Sequence, residues 1–161
     1  MKPGGTFLLN CQWTPEEIET HLPAKVKSYI ANNDVQFYTV DAIDIAREIG
    51  MGKRTNTILQ SAFFALANIM PIEQAVDYMK YMAKKSYLKK GEAVVELNYK
   101  AIDAGVNALK KVDVPAAWKT VDTTEKAEPV EGDRPELVKF VREILQPVSK
   151  MNGDKLPVSA F

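Results

Sequence analysis

The stretch Gly50-Met51-Gly52-Lys53-Arg54-Thr55-Asn56 puts two flexible positions, two cations and an amide together just before an apolar helical pattern. At a helix start, backbone N–H groups and the helix dipole favour anions. Lys53 and Arg54 add charge, and Asn56 can hydrogen-bond, so these three are the candidate binding residues for a phosphate-bearing group. The spacing is not that of a P-loop, which needs G-x-x-x-x-G-K-[ST]. Nor is it a dinucleotide fingerprint, because no strand precedes it. The plainer reading is a helix-to-helix connection with solvated charges.

Other reactive side chains are few. Cys11 is the one thiol and His21 the one imidazole. A nucleophilic Cys11 would need a thiolate favoured by a helix start or a basic neighbour. Beside Trp13, at a strand end, the simpler reading is a packed, inert thiol. His21 as a general base would need a partner within hydrogen-bond reach. Glu17 and Glu19 are near in sequence, yet they read as helix-face residues and His21 as a surface or helix-end histidine. Lys80, Lys84, Lys85, Lys89 and Lys90 could meet phosphates or an acidic partner, but read more simply as a solvated face. Phe63-Phe64, Met79 and Met82 read as core or interface, not as a cofactor box.

Composition narrows the classes further. The 161 residues carry 21 Lys+Arg and 21 Asp+Glu, a formal net charge of zero. A nucleic-acid binder normally shows a basic excess, so that class is set aside. One cysteine excludes an internal disulfide framework and points to a reducing compartment, by default the cytoplasm. Four-cysteine iron–sulfur and Cys/His zinc sets cannot be assembled from one Cys and one His. No apolar run is long enough to span a bilayer.

The elements that must position these residues alternate. Thr6–Asn10 is a short continuous apolar run, as expected for a strand covered on both faces. Thr14-Pro15-Glu16-Glu17 carries a capping box and a first-turn proline, opening a helix to about Leu22. Pro23 allows a second helical start, ending near Asn32-Asn33. Val35–Val40 is a β-branched and aromatic strand. Asp41 then starts a short helix, Ala42 to Ile49, closed by Gly50. Strand, helix, strand, helix implies a right-handed crossover and a parallel sheet. Two strands are too few for such a sheet, so further strands are expected before Met1.

Beyond Gly50 the pattern is helical. Thr55 or Asn56 is expected to cap a buried, all-round apolar helix from Ile58 to about Met70. Pro71 opens another, from Ile72 to Tyr87. A third spans about Glu92 to Lys111, with Val95, Asn98, Tyr99, Ile102, Val106 and Leu109 at helical spacing and Lys110-Lys111 complementing its dipole. Asp122–Asp133, with Glu125, Glu128 and Glu131, reads as an acidic linker. A last helix, capped by Asp133, runs from Arg134-Pro135 to about Leu145 and is closed by Pro147. The tail Asn152–Phe161 reads as a turn and an extended, partly apolar end. The fold class is therefore α/β: a partial parallel sheet, strands near 6–10 and 35–40, several packed helices, then a linker and a C-terminal helix.

Taken in order, several stretches resemble the central domain of pyruvate:ferredoxin (flavodoxin) oxidoreductases. They are Lys2-Pro3-Gly4-Gly5-Thr6-Phe7-Leu8-Leu9-Asn10, His21-Leu22-Pro23-Ala24, Phe37-Tyr38-Thr39-Val40-Asp41-Ala42, Ile45-Ala46-Arg47-Glu48-Ile49-Gly50 and Gln60-Ser61-Ala62-Phe63-Phe64-Ala65-Leu66-Ala67-Asn68. The end, Gly153-Asp154-Lys155-Leu156-Pro157-Val158-Ser159-Ala160-Phe161, is similar to the junction toward that family's ferredoxin-like domain. The resemblance implies residues 1–118 as the later part of the gamma-type domain, 119–133 as a linker and 134–161 as the lead into the next domain. It implies a dimeric parent that decarboxylates pyruvate with coenzyme A, using thiamine diphosphate, Mg2+ and three [4Fe–4S] clusters, and passing electrons to ferredoxin or flavodoxin. Those cofactors would sit in other domains, and no residue of this chain is assigned to catalysis. Lys53, Arg54 and Asn56 become candidate contacts to coenzyme A phosphates. Two readings compete with this one. One is a free-standing α/β interaction module docking through the apolar helices around Phe63-Phe64. The other is a small enzyme using Cys11.

Overall fold

The computed structural model describes residues 1–124 and 129–160, so the acidic positions Glu125 and Glu128 and the terminal Phe161 lie outside the described residues. The chain divides into two compact units, Met1–Thr123 and Thr124–Phe161.

The first unit is built on a three-stranded sheet of order β1-β2-β3. Strand β1 (Thr6–Asn10) pairs in parallel with β2 (Gln36–Val40), with Phe7 opposite Phe37 and Leu9 opposite Thr39. The third strand, β3 (Lys110–Lys111), runs antiparallel to β2. This corrects the sequence reading, which placed Lys110 and Lys111 in the last helical turn. The helix ends at Asn107, and Val112 N–H then donates to the Phe37 carbonyl at 2.9 Å. A lysine pair on an edge strand discourages further strand pairing there. The sheet is therefore mixed rather than purely parallel.

Side chains alternate across a strand, and the two cores follow that alternation. Phe37, with Phe7 and Leu9 against it, faces one cluster containing Ile18, Leu22, Ile30, Val35 and Trp118. Val40, with Leu8, faces the other, containing Ala42, Ala46, Met51, Ile58 and Ala101. Helices α1 (Pro15–His21) and α2 (Ala24–Asn32) cover the first face. Helices α3 (Ala42–Glu48), α4 (Asn56–Ala67) and α6 (Glu92–Asn107) supply the second. Helix α5 (Ile72–Tyr87) lies on the outside, joined through a smaller cluster of Met79, Ala83 and Ile102. Continuous apolar strands are what a sheet covered on both faces demands. The β1 side chains Phe7 to Asn10 are nonetheless only half-buried.

Local signals act where the sequence placed them. Thr14 and Glu17 form a reciprocal capping box at α1. Asp41 caps α3 by accepting from Asp44 N–H at 2.9 Å, and Asn10 Oδ1 accepts from Ala42 N–H at 3.0 Å. Gly50, at φ +86°, ends α3 in a Schellman motif. Its N–H donates to Arg47 O, and Met51 N–H donates to Ala46 O at 2.8 Å.

Helix α4 departs from expectation in three ways. It ends at Ala67, with Asn68 left-handed at φ 48°. Thr55 is its cap position but makes no side-chain capping bond. Phe63 is 53% exposed, so the helix is not buried all round. Its buried face is narrow: Thr57, Ile58, Ser61 and Ala62.

The second unit consists of α7 (Pro135–Phe140), a π-helical segment Val141–Leu145 and α8 (Gln146–Ser149). Arg134, not Asp133, is the cap position, with no side-chain capping bond. Pro147 does not close the helix but lies inside it, where a widened π turn accommodates a residue lacking an N–H. The tail is not extended: Gly153–Lys155 and Val158–Ala160 are short 3-10 turns.

Candidate functional site

The three helices α4, α5 and α6 enclose an open cavity of about 360 Å³. Asn56, Thr57, Gln60 and Phe64 line it from α4, Tyr78, Met79, Met82 and Tyr87 from α5, and Asn98 and Ile102 from α6. Most of the wall is apolar or aromatic, with a few polar groups among them, as in ligand sites generally.

Those polar groups come from one helix start and one polar position in an apolar stripe. Asn56 is the first residue of α4 and is exposed, following the Gly50–Thr55 connection. Thr57 and Asn98 are buried at 8% and 3% exposure. The Thr57 hydroxyl donates to Asn98 Oδ1 at 3.3 Å, and Asn98 Nδ2 donates to Val94 O at 2.8 Å. An amide offers two donors and two acceptor sites, so this pairing uses half of Asn98's capacity and fixes its plane. Asn98 also lines the cavity.

Of the three predicted site residues, only Asn56 lines the cavity. Lys53 and Arg54 are exposed on the loop immediately before it. Arg54 N–H donates to Met51 O at 3.3 Å, and buried Met51 anchors the loop in the core. In the sequence Asn98 stands out only as one of a run of positions at helical spacing. The available signal was its polarity: an amide within an apolar helical stripe must find partners when buried.

The remaining titratable candidates do not line the cavity. His21 packs edge-on against Trp13, with ring centroids 5.1 Å apart. Neither nearby carboxylate serves it. Glu17 is held in the capping box with Thr14, and Glu19 accepts from Trp118 Nε1 at 2.6 Å and pairs with Lys27 at 3.1 Å. The Trp118 bond, followed by Lys27, holds the Glu19 carboxyl below its ordinary range. Cys11 is half-buried and donates its backbone N–H to Val40 O at 3.1 Å. Lys80 is not a solvated-face lysine: it pairs with Asp103 at 2.7 Å and lies over the Tyr99 ring, tying α5 to α6. Lys84, Lys85, Lys89 and Lys90 are exposed.

A family model described as pyruvate ferredoxin/flavodoxin oxidoreductase matches residues 1–108. The chain belongs to that family. A second family model, a domain of unknown function, matches residues 123–161. Among relatives of the oxidoreductase family, the pyruvate-flavodoxin oxidoreductase of Klebsiella pneumoniae is 48% identical over 161 residues. The pyruvate:ferredoxin oxidoreductase of Moorella thermoacetica is 42% identical, also over 161 residues. Both alignments cover 100% of this chain and 13% of the relative. The pyruvate dehydrogenase [NADP(+)] of Cryptosporidium parvum is 40% identical over 183 residues, covering 100% of this chain and 10% of that protein. The chain thus spans about an eighth of the oxidoreductases that it matches.

With one cysteine in 161 residues, the chain does not fit a [4Fe–4S] cluster, which needs four thiolates. Among the described residues no group of three His, Cys, Asp or Glu side chains could hold a metal ion. No described helix is long and apolar enough to cross a membrane.

Proposed function

We propose that this chain is a non-catalytic segment of a pyruvate:ferredoxin/flavodoxin oxidoreductase, the later part of its gamma-type domain, and that it contributes part of the coenzyme A site. The carrying observation is the cavity that joins Asn56, Thr57 and Asn98 to an apolar wall directly behind a cationic loop. Coenzyme A combines phosphates with an amide-rich arm and a planar base. Lys53 and Arg54 suit the phosphates, the amides of Asn56 and Asn98 suit the arm or the base, and Phe64, Met82 and Tyr87 supply apolar contact. The chain's part is to bind and orient, which acts on the rate through positioning.

The parent reaction joins pyruvate and coenzyme A into acetyl-CoA and carbon dioxide and passes two electrons to an acceptor. Thiamine diphosphate with Mg2+ supplies the carbon chemistry and [4Fe–4S] clusters the electron path, all on other parts of a homodimeric cytoplasmic enzyme. The relatives' names support a role away from the acceptor. The same segment aligns end to end with enzymes named for flavodoxin, ferredoxin and NADP(+). A segment common to all three serves a step that they share.

The test is a coenzyme A titration of the full-length enzyme carrying Lys53→Ala, Arg54→Ala and Asn56→Ala together. Each hydrogen bond to a charged group contributes about 1.5–3 kcal/mol, so the coenzyme A KM should rise by about tenfold or more. The pyruvate KM should stay as in the wild type. An unchanged coenzyme A KM removes the loop from the site.

The competing reading, an interaction module, draws on Phe63, Tyr78, Tyr81 and Met82, each more than half exposed. If the 161-residue chain alone captured a partner and the parent bound coenzyme A normally without the cavity's polar groups, that reading would replace this one.

A further inference from the structure

We infer that the first unit carries a second small-molecule site, between the β1–α1 connection and the paired β2 and β3, that takes an oxoanion borne on an aromatic ring. It stands apart from the cavity described above: none of its lining residues belongs to α4, α5 or α6.

Strand alternation decides what faces this site. Phe37 and Thr39 lie two apart on β2 and share the face that Ile18 and Trp118 cover. Strand β3 sets Lys110 opposite Thr39. Opposite residues of an antiparallel pair project to the same side, with Cβ atoms about 4.5–5.5 Å apart. Lys110 therefore joins Thr39, as Val112 and Val114 further along pack against the cluster of Phe37. The chain leaving β1 adds Gln12 and Trp13. Together these residues line a cavity of about 510 Å³. It lies beyond the carboxyl ends of the parallel strands β1 and β2, where open α/β sheets hold their ligands.

Thr39 carries the inference. It is only 6% exposed, and its hydroxyl makes no hydrogen bond among the described residues. Yet no described side-chain polar atom is both fully buried and without a partner. The hydroxyl therefore keeps contact with open space, and the cavity is the space that Thr39 lines. A polar group at this depth costs stability unless something bonds it. Valine would fill the same volume in a strand without that cost.

The lining charges set the sign of the missing partner. Glu19 is already engaged by Lys27 and by the Trp118 indole. Lys110 and Lys111 against Asp113 then leave a net charge of +1, two cations less one anion. An ammonium beside a hydroxyl suits an oxoanion. The two indoles suit a ring attached to it, and both are held in place. Trp13 packs edge-on against His21, and Trp118 donates to Glu19 at 2.6 Å. Aromatic surface fixed in advance lowers the ordering cost of binding.

The experiment photolabels the full-length enzyme with para-azidobenzoate and, separately, with an azido-adenosine monophosphate, and maps the labelled peptides by mass spectrometry. One probe bears a carboxylate and the other a phosphate, so the stronger label identifies the oxoanion. Label is expected within residues 10–19 or 107–118. Lys110→Met and Thr39→Val should each weaken it by about tenfold, the size of one hydrogen bond to a charged group. Thr39→Val has a second readout. With no protein partner lost, amide exchange over Gln36–Val40 should be no faster in the variant than in wild type. Faster exchange would show a hydroxyl already bonded within the fold and would overturn the proposal. So would label confined to α4 and α5, which would belong to the other cavity, or no label from either probe. Label that Lys110→Met leaves unchanged, or that inorganic phosphate displaces as well as benzoate or adenosine monophosphate does, would overturn it too.

Discussion

Glu19 shows how one carboxylate organises a core edge. It accepts from the Trp118 indole N–H and from Lys27, whose ammonium also lies 5.7 Å from the Trp118 ring. Its carboxyl is held low, first by Trp118 and then by Lys27. A depressed carboxyl contributes stability that is present above its unfolded pKa and lost as pH falls through its folded one. Trp118→Phe keeps the apolar ring but removes the donor. The variant should be less stable than wild type at neutral pH, and the gap should close as pH drops below the carboxylate range. Chemical denaturation at several pH values checks this; a gap independent of pH would assign the loss to packing alone. The Thr57–Asn98 pair makes the second residue-scale case. Asn98→Leu leaves the buried Thr57 hydroxyl and the Val94 carbonyl without their side-chain partner, at about 1–3 kcal/mol, readable in urea unfolding. Its coenzyme A KM should rise as well, with Asn98→Gln recovering part of the stability.

At the scale of elements, α4 and α6 pack backbone to backbone. Gly105 on α6 is buried, and a Cβ there would overlap the Ser61 hydroxyl and the Ile58 carbonyl oxygen. No rotamer of Ser61 relieves the backbone contact, so Gly105→Ala should cost about 1–3 kcal/mol or more through forced separation of the helices. Because the cavity lies between the same helices, the variant should also weaken coenzyme A binding. Equal unfolding midpoints for variant and wild type would refute the close packing.

The sequence made some of these elements legible and hid others for physical reasons. Both parallel strands, the α1 capping box and the Gly50 turn were readable because each depends on local chemistry within a few residues. Lys110-Lys111 was not: two lysines carry helix propensity, and only β2 beside them makes them a strand. Pro147 looked like a terminator because its compensation, the π segment over Val141–Leu145, is not written in any single residue. Asn56 was legible as a helix start beside charges. Asn98 was visible only as one position at helical spacing, since its pairing partner is 41 residues away in sequence.

The whole first unit reads as a wall rather than a reaction chamber. Several of its titratable residues serve structure: the caps, the Glu19–Lys27–Trp118 group and the Lys80–Asp103 tie between helices. Apart from these lie a cationic loop, a helix start and a cavity lined by Asn56 and Asn98. The proposed coenzyme A role assigns binding to that loop and cavity. Hydrogen–deuterium exchange on the full-length enzyme, with and without coenzyme A, tests this most directly. Exchange should slow on coenzyme A addition at the start of α4, from Asn56 to Gln60, and in α5 from Tyr78 to Tyr87, with α1 and α2 unchanged. Unaltered exchange in both cavity segments, in an enzyme that still forms acetyl-CoA, would contradict it.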